Sequence, residues 1–241
     1  MSLEHHDLRG GFHEELDELR NEIARLGATV VELIPRVTDI LLQQDLEGAE
    51  YVLRGDRAID ERANETEQRA LTLLALQAPV AGDLRQTAAV LKLAPEIERS
   101  ADLCCNICKA ARRIYGHELD PKLRGIVQRM SDQAQQEYKE VVEAYLANDE
   151  MRAAAIPDMD DYLDDLHRLF IAQIFESHAA GAIDLQVAVQ LAVVARFYER
   201  LGDHAVNIAH RVLYITTGEL HEREVPSGED VEAALGAGDE G

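Results

Sequence analysis

Basic residues are scarce in this chain, tryptophan is absent and no long apolar run occurs. Only 24 lysines and arginines stand against 46 aspartates and glutamates, a formal charge of −22. A field of that sign repels phosphate backbones and attracts cations or basic partner surfaces, which argues against direct nucleic-acid binding. The most apolar stretch, "LQVAVQLAVVA", is short and interrupted by glutamine, too little to cross a bilayer. The N-terminal "MSLEHHDLRGGFHEEL" lacks the apolar centre of a signal peptide. These features predict a cytoplasmic protein with no membrane insertion. The three cysteines, Cys104, Cys105 and Cys108, are odd in number and clustered, so they build no disulfide framework. Cys105 and Cys108 have C-x-x-C spacing, but no second such pair completes a zinc site. Cys104 shares a helical stripe with Ile97 and Ile107, which predicts a core position.

What the sequence does have is helical periodicity. With 46% hydrophobic residues in 241, it can bury a substantial core. From Leu16 the positions Leu19, Ile23, Leu26, Val30, Leu33, Val37 and Leu41 recur at three- and four-residue steps, one face of a long first helix. Pro35 predicts a kink in it. Asp45 reads as the cap of a second helix running to about Gln77, and "QAPVAG" as a hairpin. Asp83 reads as the cap of a third helix extending to Tyr115. After the break at "YGHELDP" the periodicity restarts at Leu123, Val127, Met130, Ala134, Val141 and Leu146. No stretch alternates as a strand would, so the predicted class is all-α.

The restart is an internal repeat. "DRAID" (Asp56 to Asp60) matches "DDYLD" (Asp160 to Asp164) at an offset of 104, which also relates Asp45 to Asp149. Glu98, Arg99, Asp102, Asn106 and Ile107 match Glu199, Arg200, Asp203, Asn207 and Ile208 at an offset of 101, as Asp83-Leu84 matches Asp184-Leu185. The three-residue difference falls in a hairpin, where deletions are tolerated. Each half then forms a three-helix unit with helices of about 30 residues, or about 45 Å. The expected organisation is two tandem three-helix bundles, residues 8–116 and 117–218, followed by an acidic tail, 219–241. That tail carries eight acids and one arginine among Gly, Ser and Pro, a composition that predicts disorder.

The acids recur where chemistry could use them. Glu98, Asp102 and Asn106 form a row at four-residue steps beside the core stripe of the third helix, as do Glu199, Asp203 and Asn207. Folding back about the hairpin brings Asp56 and Asp60, and in the second half Asp160 and Asp164, level with those rows. Two readings follow: a solvated acidic face with Arg99 and Arg200 pairing to acids three residues on, or a site for cations. Clustered carboxylates with an amide oxygen suit Mg, Mn, Ca or non-haem iron. His5, His6 and His13 read as solvated, and His167 as an exposed helix residue. No Gly-rich phosphate loop is present, so a response to phosphate would come through partners. A di-metal carboxylate enzyme would add Glu-x-x-His pairs within one four-helix bundle, and no such pair repeats here.

The doubled "ER-x-x-D-x-x-x-NI", with a "D-x-x-[IL]-D" helix before it and "DL" opening the helix that carries it, resembles the PhoU family from about Leu8 to Thr217. The resemblance implies two three-helix bundles, homodimers, and carboxylate-bound metal clusters, iron or zinc, on the bundle surfaces. The corresponding positions here are Asp56, Asp60, Glu98, Asp102 and Asn106, and Asp160, Asp164, Glu199, Asp203 and Asn207. It further implies a non-enzymatic negative regulator of phosphate uptake and the phosphate-starvation response. The implied partners are the high-affinity importer's ATPase subunit and a PhoR-type sensor kinase. The alternatives are a metal-free acidic adaptor, one serving another phosphate transporter, or a di-metal enzyme. The first copy departs from the pattern, with Ser100-Ala101 where the family carries Ile-Gly and the second copy has Leu201-Gly202.

Overall fold

Seven helices and no strands make up the described residues: a computed structural model gives the backbone of residues 2–219 and the side chains of 11–219. In chain order they are α1 (Ser2–Gln43), α2 (Leu46–Gln77), α3 (Ala81–Arg113), α4 (Pro121–Ala147), α5 (Glu150–Ala154), α6 (Ile156–Ala179) and α7 (Leu185–Thr217). Helices α1–α3 form one three-helix bundle; α4, α6 and α7, with the short α5, form the other. His5, His6 and nearly all of the acidic tail lie outside the residues whose side chains are described.

The repeat boundaries emerge from local chemistry. Asp45 caps α2, its carboxylate accepting from the Gly48 amide at 2.9 Å, as expected. Its counterpart Asp149 caps only the five residues of α5 (Arg152 amide, 3.0 Å). Pro157 then stands at the start of α6. A proline is tolerated in a first turn but not in mid-helix, so the second copy splits one helix into two. Asp184 caps α7 through the Val187 amide at 2.8 Å. Asp83 does not do the same for α3, contrary to expectation. That helix opens at Val80 with no side-chain cap, and Asp83 lies within its first turn.

Pro35 does not end α1, which continues to Gln43. A proline leaves the carbonyl four residues back without its helical donor. That carbonyl belongs to Val31, and Gln135 Nε2 of α4 donates to it at 3.1 Å. The expected weak point is therefore bridged from the other bundle. Gly27 permits the same close approach, since a Cβ there would lie 2.5 Å from Val142 Cγ2.

The two bundles share one continuous hydrophobic core. The central helices α3 and α7 run antiparallel: Arg113 Nη1 donates to Gln190 Oε1 at 3.3 Å near one end, and Arg85 Nε to the Ile215 carbonyl at 3.4 Å near the other. The predicted stripes, Val90, Leu93, Ile97, Cys104, Ile107 and Ile114 with Leu191, Val194, Tyr198, Ala205, Ile208 and Ile215, are all buried. Buried hydroxyls pair across the junction. Thr38 bonds Ser131 at 2.7 Å and Tyr198 at 2.5 Å, and the Tyr138 hydroxyl donates to Ser100.

Candidate functional site

Helices α2 and α3 fold back as antiparallel neighbours, and this places the first set of acids together. Asp60 is pushed above the ordinary carboxylate range by burial and then by Asp56, Asp102 and Glu61. Glu98 is raised by burial and then by Asp102 and Asp60, with Arg99 opposing. Asp56, Asp60, Glu98 and Asp102 thus share one electrostatic neighbourhood. All ten sequence-predicted site residues are half-buried, neither exposed nor enclosed. A face of freely solvated charges would not look like this.

Arg99 pairs backward along its helix, not with the acid three residues on. Arg99 faces Glu96, three residues back, at 3.6 Å, and Glu199 is bonded by Arg196. Both asparagines have partners outside the acid rows. Asn106 accepts from Lys109 Nζ at 3.0 Å, and Asn207 Nδ2 points at Glu96 Oε2 at 3.4 Å. His167 is half-buried, not exposed. Burial and Arg196 lower its pKa while Asp164 opposes them. His13 is exposed, as expected, with Asp83 3.8 Å away.

The first acids and the cysteines meet, since the Cys105 thiol donates to Asp56 Oδ1 at 3.2 Å. All three cysteines are buried and free. Burial pushes Cys108 up to about 12 and raises Cys104 and Cys105 further, so none is a thiolate at neutral pH. They are inert thiols, and Cys105 lies against the inner side of the first acid set.

Two features escaped the sequence pattern. Glu137 of α4 is fully buried, its Oε1 accepting from Gln133 Nε2 at 2.9 Å while Oε2 has no hydrogen-bond partner. Burial, with Asp160 and Asp164 adding to it against the Gln133 bond, raises its pKa to about 8. The available signal was an acid on the core stripe between Ala134 and Val141. The second feature bridges the bundles: buried His204 of α7 bonds Glu96 of α3 at 2.5 Å. Burial pushes Glu96 up, but His204, Asn207 and Arg99 together outweigh it and hold that carboxyl below its usual range.

Among the described residues, no three carboxylate, thiol or imidazole groups already stand around one point as a metal site would require. Crowded like charges keep apart without a counter-ion. The donor set nevertheless fits a cation: the first acids carry mutual repulsion that a cation would relieve. In the second bundle, Oε2 of Glu137 and of Glu199 are buried without hydrogen-bond partners.

The duplicated bundles, each presenting half-buried acids from its last two long helices, define a class of all-α proteins built by internal repetition. The PhoU domain model matches residues 23–111 and again 127–212, and the chain belongs to the PhoU family. It is 34% identical over 225 residues to the phosphate-specific transport system accessory protein PhoU homolog 1 of Mycobacterium leprae, covering 92% of this chain and 99% of that one. It is 35% identical over 215 residues to PhoU homolog 2 of Mycobacterium tuberculosis, covering 88% and 99%. The fold is that of the crystal structure of the phosphate transport system regulatory protein PhoU from Streptococcus pneumoniae. That match has a TM-score of 0.81 at 24% identity over 88% of this chain and all of the other. PhoU from Pseudomonas aeruginosa gives 0.80 at 23%, over 86% of this chain and all of the other.

Proposed function

We propose that this protein is a cytoplasmic, non-enzymatic negative regulator of phosphate uptake and of the phosphate-starvation response. It acts as a homodimeric, metal-binding helical adaptor between the importer's ATPase subunit and a PhoR-type sensor kinase. The observation that carries the reading is the family match to both repeats, coinciding with acids that influence one another electrostatically in both. Relatives named as accessory proteins of phosphate-specific transport support the phosphate system as the setting. No helix among the described residues is long and apolar enough to cross a membrane, which suits a protein that reaches the importer from its soluble side.

The metal would be held by Asp56, Asp60, Glu98 and Asp102 in one bundle and Asp160, Asp164, Glu199 and Asp203 in the other. Asn106 and Asn207 would be available after turning from their present partners. Bound there, iron, zinc or another divalent or trivalent ion would neutralise the crowded acids and offer basic or acidic partner groups a bridging charge. A metal-free acidic adaptor is favoured by one observation, that the carboxylates are not drawn together as they stand. Metal analysis of protein purified without chelator separates the two.

Affinity capture from phosphate-replete cells, beside gene deletion, tests the role. Recovery of the importer ATPase and the kinase, with starvation genes active in the deletion strain despite ample phosphate, is the expected result. Recovery of neither, with unchanged expression, would remove the regulatory assignment.

A further inference from the structure

The two bundles are not equivalent, and the difference lies on the inner side of the second acid set. The family matches begin at residues 23 and 127, so α1 and α4 correspond at the same offset of 104 as α2 and α6. Glu137 therefore occupies the place of Leu33, a partly buried residue packed on the core. A carboxylate stands where the first bundle has a leucine.

Gly202 of α7 shows where that carboxylate points. A Cβ there would fall 2.0 Å from Asp160 Oδ1, 2.8 Å from Leu163 Cδ2 and 3.1 Å from Glu137 Oε2. Oxygens from α4 and α6 thus converge over a backbone position whose missing Cβ leaves them room. The counterpart of Gly202 at the offset of 101 is Ala101, which is fully buried. Its methyl takes the place that the second bundle leaves to oxygen. Accordingly Asp56, the counterpart of Asp160, has a different partner, the Cys105 thiol.

We propose that the second bundle binds one hard divalent cation on its inner side, between Glu137 and Asp160 over Gly202, at a site the first bundle does not possess. The proposal rests on the reading that the acid rows bind metal, and it adds a ligand from a helix those rows do not include. Three features support it. Glu137 is fully buried and its Oε2 lacks a hydrogen-bond partner, a costly arrangement that a cation would resolve. Asp164 lies within electrostatic reach of Glu137 as a further anionic oxygen donor. Every donor is oxygen, which selects Mg, Mn or Ca over ions that favour thiolate or imidazole. The one thiol bonded to an acid, Cys105, lies in the first bundle.

The test is a Mn²⁺ titration of chelator-treated full-length protein, followed by the electron-paramagnetic signal of the free ion. It compares wild type with Glu137→Gln, Glu137→Leu, Gly202→Ala and Asp102→Asn. Wild type should show two unequal classes of site. The Glu137 and Gly202 variants should each weaken the tighter class by about tenfold or more, while Asp102→Asn weakens only the other. Melting supplies a readout independent of occupancy. Without Mn²⁺, Glu137→Leu should melt higher than wild type, because a buried carboxyl is removed, and it should gain less on adding Mn²⁺. Wild-type titration curves in both Glu137 variants, with Asp102→Asn still impaired, would overturn the inner site and leave the acid rows as the metal reading. A lower melting point for Glu137→Leu with an undiminished Mn²⁺ increment would make Glu137 structural and also overturn it. No Mn²⁺ binding by wild type would remove both readings.

Discussion

At the scale of single residues, Glu137 sets an acid-dependent stability. Its carboxyl titrates near 8 in the fold against an ordinary 4.5, so the folded state holds the proton more tightly than the unfolded chain. That contribution is complete below about pH 4.5 and is lost as pH rises toward 8, by at most about 1.4 kcal/mol per pH unit. Asp60 and Glu98 are shifted the same way, whereas Glu22 and Glu96 are lowered and lose stability as pH falls. Urea unfolding in chelator at pH 5.5, 6.5 and 7.5 should therefore show stability declining with pH, and Glu137→Gln should flatten the decline. Parallel profiles for the two proteins would contradict this. The acid rows were legible because they repeat in both halves, and Glu137 was not, because its counterpart is Leu33. The Glu96–His204 pair hid for the same reason: the corresponding residues, Phe197 and Leu103, are apolar.

At the scale of helices, caps and periodicity located nearly every long element, and the misreadings have physical causes. Asp83 looked like Asp184 by alignment, yet α3 begins earlier through Ala81, whose φ of 50° is one that alanine rarely adopts and that no residue pattern announces. Pro35 lies inside a helix that continues, and the donor that meets the Val31 carbonyl it orphans, which local rules cannot reveal, comes from a residue 104 positions away. The caps themselves should differ in weight. Asp45 holds the start of a 32-residue helix with a buried face, whereas Asp149 holds five residues before Pro157. Asp45→Ala should cost about 1 kcal/mol, within the usual range for caps, and Asp149→Ala less. Equilibrium urea unfolding of the two variants checks the order, and equal losses would show that α5 transmits its cap to α6. An apolar groove of about 170 Å³ between α6 and α7, lined by Ile171, Ile174, Phe175, Leu185 and Val189 among others, was invisible to helix-by-helix reading. It exists only because the two faces meet.

At the scale of the molecule, the sequence suggested two units in tandem, and the structure welds them. The α3–α7 and α1–α4 contacts carry apolar burial straight from one repeat into the other, and Thr38, Ser131 and Tyr198 close a hydrogen-bonded knot between them. Repeats joined so extensively share their unfolding, unlike units that touch only at a rim. A chain nicked by protease between Ile114 and Asp120 should therefore remain a single particle on gel filtration and melt in one transition. Fragments that separate without denaturant would refute it. The Gln135 bond to Val31 carries this further, because one repeat supplies a hydrogen-bond donor that the other's own helix lacks. The first half expressed alone would leave to water the Val31 carbonyl that Pro35 deprives of its helical donor, so the second repeat completes a helix of the first.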